Sequence, residues 1–76
     1  MKADPMDRAV WDAHLAQAEQ AIAQGERHIA RQKELIAELE VDGHDGRAAR
    51  ELLAQFECMQ ALHIAHWERL RREVVT

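Results

Sequence analysis

The chain has little of what catalytic or disulfide-stabilised proteins need. Its one cysteine, Cys58, cannot form a disulfide within the chain, and no cysteine cluster is present to hold zinc. Serine and tyrosine are absent and the only threonine is Thr76, so few nucleophiles are available. No histidine lies three or four residues from Cys58, the spacing that would bring a thiol and an imidazole together on one helix. We therefore predict that the protein is not an enzyme.

Residues that interrupt helices are also scarce. Pro5 is the only proline, and Asp4 before it is typical of a helix start, because an acidic residue caps the helix and proline suits its first turn. Gly43 can take the left-handed conformation that ends a helix, and Asp45 can cap the next one. The sequence predicts a first helix over about 5–41, a turn over 42–45 and a second helix over about 46–73.

Charge and hydropathy limit the classes of partner. The net charge is −4 with histidine counted neutral, whereas contact with nucleic-acid phosphates needs an excess of lysine and arginine. The sequence has no run of ~20 apolar residues, the length that spans a membrane, and no apolar segment typical of a signal peptide at its start. We expect a soluble, cytoplasmic protein that binds neither membranes nor nucleic acid.

Apolar residues recur with a seven-residue period in the predicted first helix, which is typical of a helix that packs against another helix. One row of this repeat is Leu15, Ile22, Ile29 and Ile36. The second row alternates with the first along the helix and is Trp11, Ala18, Gly25, Gln32 and Leu39. In the second helix, spacings of three and four predict an inward stripe of Ala49, Leu52, Phe56, Met59, His63, His66 and Leu70, widened by Leu53 and Trp67 on one side. The predicted interaction seam is drawn from these stripes and comprises Trp11, Leu15, Ala18, Ile22, Gly25, Ile29, Ile36, Leu52, Phe56, Met59 and Leu70.

The short turn predicts an antiparallel pair of helices in a single domain spanning residues 1–76. Reversal about Gly43 and His44 would place Gly25 opposite His63 and leave Trp11 beyond the end of the second helix. A chain of 76 residues buries a small core, and both apolar faces are wide. We therefore predict an all-α hairpin that dimerises into a four-helix bundle.

Histidines raise an alternative. His63 and His66 are three residues apart on one face of the second helix, and His28 is predicted to lie about one turn away. Imidazoles bind zinc and haem iron, so the alternative function is transition-metal or haem binding in the bundle core. A di-iron site is excluded, because no histidine has a glutamate three residues before it.

Four segments carry a resemblance to a known group of proteins: residues 26–32, 36–40, 42–45 and 52–63. They resemble short uncharacterised helical-hairpin proteins that are abundant in rhizobia and related alphaproteobacteria. The resemblance spans about residues 25–70 and implies a bacterial helical hairpin, without an activity, a cofactor or a catalytic residue. We therefore expect a non-enzymatic interaction module, an adaptor or regulator without a cofactor, that binds a second copy of itself and another protein.

Overall fold

Two helices account for nearly the whole chain. The computed structural model describes the backbone of residues 5–75 and the side-chain surroundings of residues 7–73. Helix α1 is Pro5–Val41 and helix α2 is Arg47–Val75. They pack antiparallel into a rod whose Cα atoms extend over 61 × 14 × 13 Å. The predicted all-α hairpin is confirmed, whereas the predicted cap at Asp4 lies outside the described residues.

The turn is built by local interactions that the sequence predicts. Gly43 has a φ of +77°, a left-handed conformation that costs glycine little because it has no Cβ. The His44 N–H donates to the Leu39 carbonyl at 2.8 Å and so closes the end of α1. At the start of α2, the Asp45 carboxylate accepts a hydrogen bond from the Arg47 N–H at 3.0 Å. Each helix end therefore has partners for backbone groups that the helix itself cannot pair.

The seam residues of α1 all face α2. Ala18, Gln32 and Ile36 are buried, and the other six positions of the seven-residue pattern are half-buried. Those six are Trp11, Leu15, Ile22, Gly25, Ile29 and Leu39. The period of the pattern thus identifies the inward side of α1.

On α2 the predicted stripe is wrong at alternate positions. Leu52 is 41% exposed and Met59 is 56% exposed, and His66 is exposed as well. The inward row advances instead in regular steps of four and three, and comprises Ala49, Leu53, Phe56, Gln60, His63, Trp67 and Leu70. The stripe predicted from the sequence avoided a polar residue at position 60, and the structure accepts one there.

Two buried glutamines explain why polar residues fit the seam. Gln32 and Gln60 are each only 7% exposed. The Gln32 side-chain amide donates to the backbone carbonyl of Ala49, and the Gln60 amide donates to that of Ile22, both at 2.8 Å. Each amide nitrogen thus has a partner, whereas the buried Gln60 Oε1 has none among the described residues, so the Gln60 amide is only half satisfied. These two buried bonds join the helices, one in each direction.

The helices also pair with a different offset from the predicted one. Gln60, not His63, lies opposite Gly25: a Cβ added to this glycine would be 1.8 Å from Gln60 Oε1. The same offset carries the last turn of α2, near residue 74, to the level of Trp11, which is half-buried rather than overhanging. The predicted offset assumed a symmetric reversal, but residues 44–46 are not helical and helix geometry does not set their path.

The core of the hairpin is small. Among the described residues, only Ala18 and Ile36 are buried hydrophobic residues, and no side chain is fully buried. Large apolar side chains remain exposed on both helices, among them Leu35, Leu52 and Leu62. A single hairpin thus leaves much of its apolar surface in water.

Candidate functional site

A groove crosses one side of the hairpin near the middle of both helices. Its volume is about 310 Å³, and it is lined by Ala21, Gln24, Gly25, His28, Phe56, Met59, Gln60 and His63. The His28 ring packs edge-on against the Phe56 ring, with 5.7 Å between their centroids. Gly25 adds no side chain to the lining, and the Gln60 carboxamide takes the space beside it.

This groove identifies one continuous face, because residues seven apart in these helices share a side. The row through Ala21 and His28 extends to His14 and Leu35, and the row through Met59 extends to Leu52 and His66. We name this side the histidine face and define it as His14, Ala21, His28, Leu35, Leu52, Met59, His63 and His66, with the exposed Leu62 at its edge. Four of the five histidines in the chain lie on it, and its two rows continue to the charged residues Asp7 and Glu73 at the open end of the rod.

The opposite side of the hairpin carries charge. A second groove, of about 270 Å³, is lined there by Glu19, Ile22, Ile64 and Trp67. Rows through Glu19 and Ile64 define the charged face: Asp12, Glu19, Glu26, Lys33, Glu40, Arg50, Glu57 and Arg71. The charged face is therefore suited to polar partners, whereas the histidine face is suited to apolar ones.

Some of the charges on this second side are paired and others are not. Arg50 forms an ion pair with Glu40 that joins the two helices next to the turn. Glu19, Glu26 and Glu57 have no ion-pair partner among the described residues. An exposed ion pair contributes only about 0–1 kcal/mol, so the ion pairs of this side add little to stability.

The histidines predicted as metal ligands are on one face but do not form one site. His28 and His63 both line the central groove, whereas His66 is exposed one turn further along α2. In the part of the chain that the structure describes, no group of three His, Cys, Asp or Glu side chains comes close enough to hold a metal ion. Metal or haem binding by His63 with His66, with His28 or with a histidine of a second copy stays a prediction.

Gln60 is the seam residue that the predicted stripe omits, because the stripe passes through Met59 at that level. Trp67 was placed at the edge of the stripe, but it is half-buried between the helices and stacks against Arg71, whose guanidinium carbon is 5.3 Å from the ring centroid. The predicted stripe and the inward row both alternate steps of three and four, so the sequence of α2 alone carries no signal that chooses between them.

Neither helix has, in its described residues, a segment both long enough and apolar enough to cross a membrane. No protein-family model matches the sequence, and no curated protein or solved structure matches it either. The resemblance of residues 25–70 to rhizobial helical-hairpin proteins therefore stays a prediction.

Proposed function

We propose that the protein is a non-enzymatic interaction module that self-associates through its histidine face. The single observation that carries this proposal is the exposed apolar surface of that face, which includes Leu35, Leu52, Met59 and Leu62. A monomeric soluble protein rarely leaves so many large apolar side chains together in water. The rows of this face carry no charged side chain between His14 and Leu35 or between Leu52 and His66, which favours burial of that part of the surface.

The exposed area supports a dimer of this kind. The chain exposes 6126 Å², whereas a compact monomer of 8.7 kDa exposes about 4700 Å². A compact dimer of twice that mass exposes about 7900 Å², so two hairpins would together bury roughly 4400 Å². That area falls in the range of about 2000–5000 Å² that is typical of obligate dimers. The predicted four-helix bundle is the arrangement that such burial implies.

The charged face suits a different role. Glu19, Glu26 and Glu57 would repel the same carboxylates of a second copy, so self-association there is unfavourable. We propose that this face stays exposed in the dimer and binds another protein, as an adaptor or regulator does. The unpaired, exposed thiol of Cys58 fits the reducing cytoplasm, where we place the protein.

The first experiment changes the apolar residues of the histidine face. Met59→Glu combined with Leu62→Glu should make the chain monomeric while its helices remain, because dimerisation would bury two unpaired charges on each copy. We expect the dissociation constant to rise at least 100-fold, which corresponds to about 2.8 kcal/mol. Sedimentation velocity at micromolar concentration measures the mass, and circular dichroism measures the helix content.

The matched control is Ala61→Glu, which adds a carboxylate to an exposed position of the same helix, on the row that contains Glu68. This variant should stay dimeric like the wild type. The proposal is wrong if the wild-type chain is monomeric and folded at these concentrations, or if the double variant dimerises as tightly as the control.

A further inference from the structure

The charged face carries carboxylates that the chain itself leaves unpaired. Glu19, Glu26 and Glu57 are exposed and form no ion pair with any described residue. Glu26 follows Gly25, which lies opposite Gln60. Glu57 lies about one turn before Gln60 on α2, so Glu26 and Glu57 are at nearby levels of the two helices. Like charges repel at such positions, and a cation from a partner would remove the repulsion.

The cations of the same face do not neutralise these three glutamates. Arg50 pairs with Glu40 beside the turn, and the Arg71 guanidinium carbon lies 5.3 Å from the centroid of the Trp67 ring. Lys33 forms no ion pair among the described residues. The carboxylates that remain are therefore available to cations of another molecule.

The groove beside these carboxylates supplies an apolar contact. It has a volume of about 270 Å³ and is lined by Glu19, Ile22, Ile64 and Trp67. Ile64 is 38% exposed, so a partner can reach its side chain. Small-molecule sites range over about 300–1000 Å³, and this groove is smaller. It suits an aliphatic side chain of a partner better than a free ligand.

Small residues border the charged face, because the next row of each helix is rich in alanine. The exposed alanines of these two rows are Ala16, Ala23, Ala30, Ala54 and Ala61. Helices pack with their axes about 8–10 Å apart, and small contact residues allow the shorter distance. A helix of a partner can therefore lie close to the groove and to the glutamates at once.

We propose that the charged face binds a basic amphipathic helix of another protein. An aliphatic side chain of that helix enters the groove beside Ile64, and its lysine or arginine side chains pair with the three unpaired glutamates. This inference rests on the proposed function, which assigns a protein partner to this face, and it adds the charge and shape of that partner. One chain supplies every contact, so self-association is not required. Seven residues, or about 10 Å, separate Glu19 from Glu26, so a partner helix of three or four turns reaches both.

The probe is a synthetic helical peptide of about 18 residues, or five turns, with leucines on one stripe and lysines on both sides of it. Fluorescence anisotropy of the labelled peptide measures its dissociation constant with the full chain. One control peptide has glutamate at every lysine position, and another keeps the composition but scatters the leucines around the helix. Only the first peptide should bind tightly, and added salt should weaken its binding.

The carboxylates are tested by Glu19→Gln, Glu26→Gln and Glu57→Gln in one chain. We expect the dissociation constant of the basic peptide to rise at least about 10-fold, because three charge pairs are lost. Circular dichroism checks that the helix content is unchanged. The matched control removes the same charge from exposed positions outside the charged face: Glu34→Gln, Glu38→Gln and Glu51→Gln. This control should change the dissociation constant less than about 2-fold.

The groove is tested by Ile64→Ala, which shortens one of its walls. The dissociation constant of the basic peptide should rise at least about 5-fold, because the partner's side chain loses apolar contact. Leu62→Ala is the matched control, since it shortens an exposed aliphatic side chain on the other side of the same helix. It should leave the dissociation constant within about 2-fold of the wild-type value.

The inference is wrong if either control peptide binds as tightly as the basic amphipathic one, or if the wild type binds none of the three. It is also wrong if the triple variant at the charged face keeps the wild-type affinity, or if its matched control loses as much. Sedimentation of the chain alone tests self-association separately. A dimer that binds no peptide refutes the basic helix and leaves self-association intact, whereas a monomer that binds the basic peptide supports the inference and refutes self-association.

Discussion

Gly25 lies inside α1 among strong helix formers, and the side chain of Gln60 explains its presence. Glycine costs a helix roughly 0.5–1 kcal/mol relative to alanine. Here the missing side chain leaves room for the carboxamide of Gln60, which reaches the Ile22 carbonyl across the seam. The helix loses some intrinsic stability at this position, and the buried hydrogen bond becomes possible.

A double-mutant cycle tests this explanation. Gly25→Ala alone should lower the free energy of unfolding by about 1–3 kcal/mol, because the added methyl displaces the Gln60 amide. In a Gln60→Ala background the same change should instead raise it by about 0.5–1 kcal/mol, since only the helix propensity then counts. Urea unfolding of the four proteins gives the coupling energy. Equal effects of Gly25→Ala in both backgrounds would show that the two side chains do not compete for space.

Sequence reasoning found the need for room at Gly25 but assigned the wrong neighbour. The cost of a glycine in a helix is a local property, so the sequence alone indicates that something must compensate for it. The residue opposite depends on how the chain passes from Val41 to Arg47. An offset of three residues replaced His63 with Gln60, and no periodic pattern within either helix fixes that offset.

At the scale of the elements, local signals were sufficient for the helices and the turn. Gly43 and Asp45 act on backbone groups within a few residues of themselves, so their roles can be predicted without tertiary structure. The rotation of α2 about its axis is different. The row through Leu52 and the row through Leu53 both follow the spacing of a helix, and only contact with α1 decides between them.

Substitutions at two neighbouring leucines, Leu52 and Leu53, test the rotation of α2 about its axis. In the monomeric Met59→Glu, Leu62→Glu background, Leu53→Ala should lower the free energy of unfolding by about 1–3 kcal/mol, somewhat less than for a fully buried leucine. Leu52→Ala should change it by less than about 1 kcal/mol there, since 41% of this residue is exposed. Chemical denaturation compares the two. Equal losses, or a larger loss for Leu52→Ala, would mean that α2 is rotated away from the described position.

At the scale of the whole molecule, the hairpin is a slender rod. Its radius of gyration is 17.6 Å, whereas a compact chain of this length has about 11 Å. The hairpin could be predicted because two amphipathic helices joined by a short turn have few ways to pack. The histidine face could be predicted only in part. His28 and His63 do line one groove, but the surface around them depends on the rotation and offset that the sequence leaves open.

The two glutamine bonds between the helices imply that one end of the hairpin folds before the other. The Gln32 bond to Ala49 closes a segment of 17 residues, and the Gln60 bond to Ile22 closes one of 38. Closing the longer segment first costs about 0.7 kcal/mol more chain entropy. The hairpin should therefore form its helix contacts first near the turn, and lose them first at its open end. In the monomeric Met59→Glu, Leu62→Glu variant, amide hydrogen exchange should be slowest around Gln32 and Ala49 and faster around Trp11 and Leu70. Uniform exchange along the rod would show instead that the hairpin opens all at once.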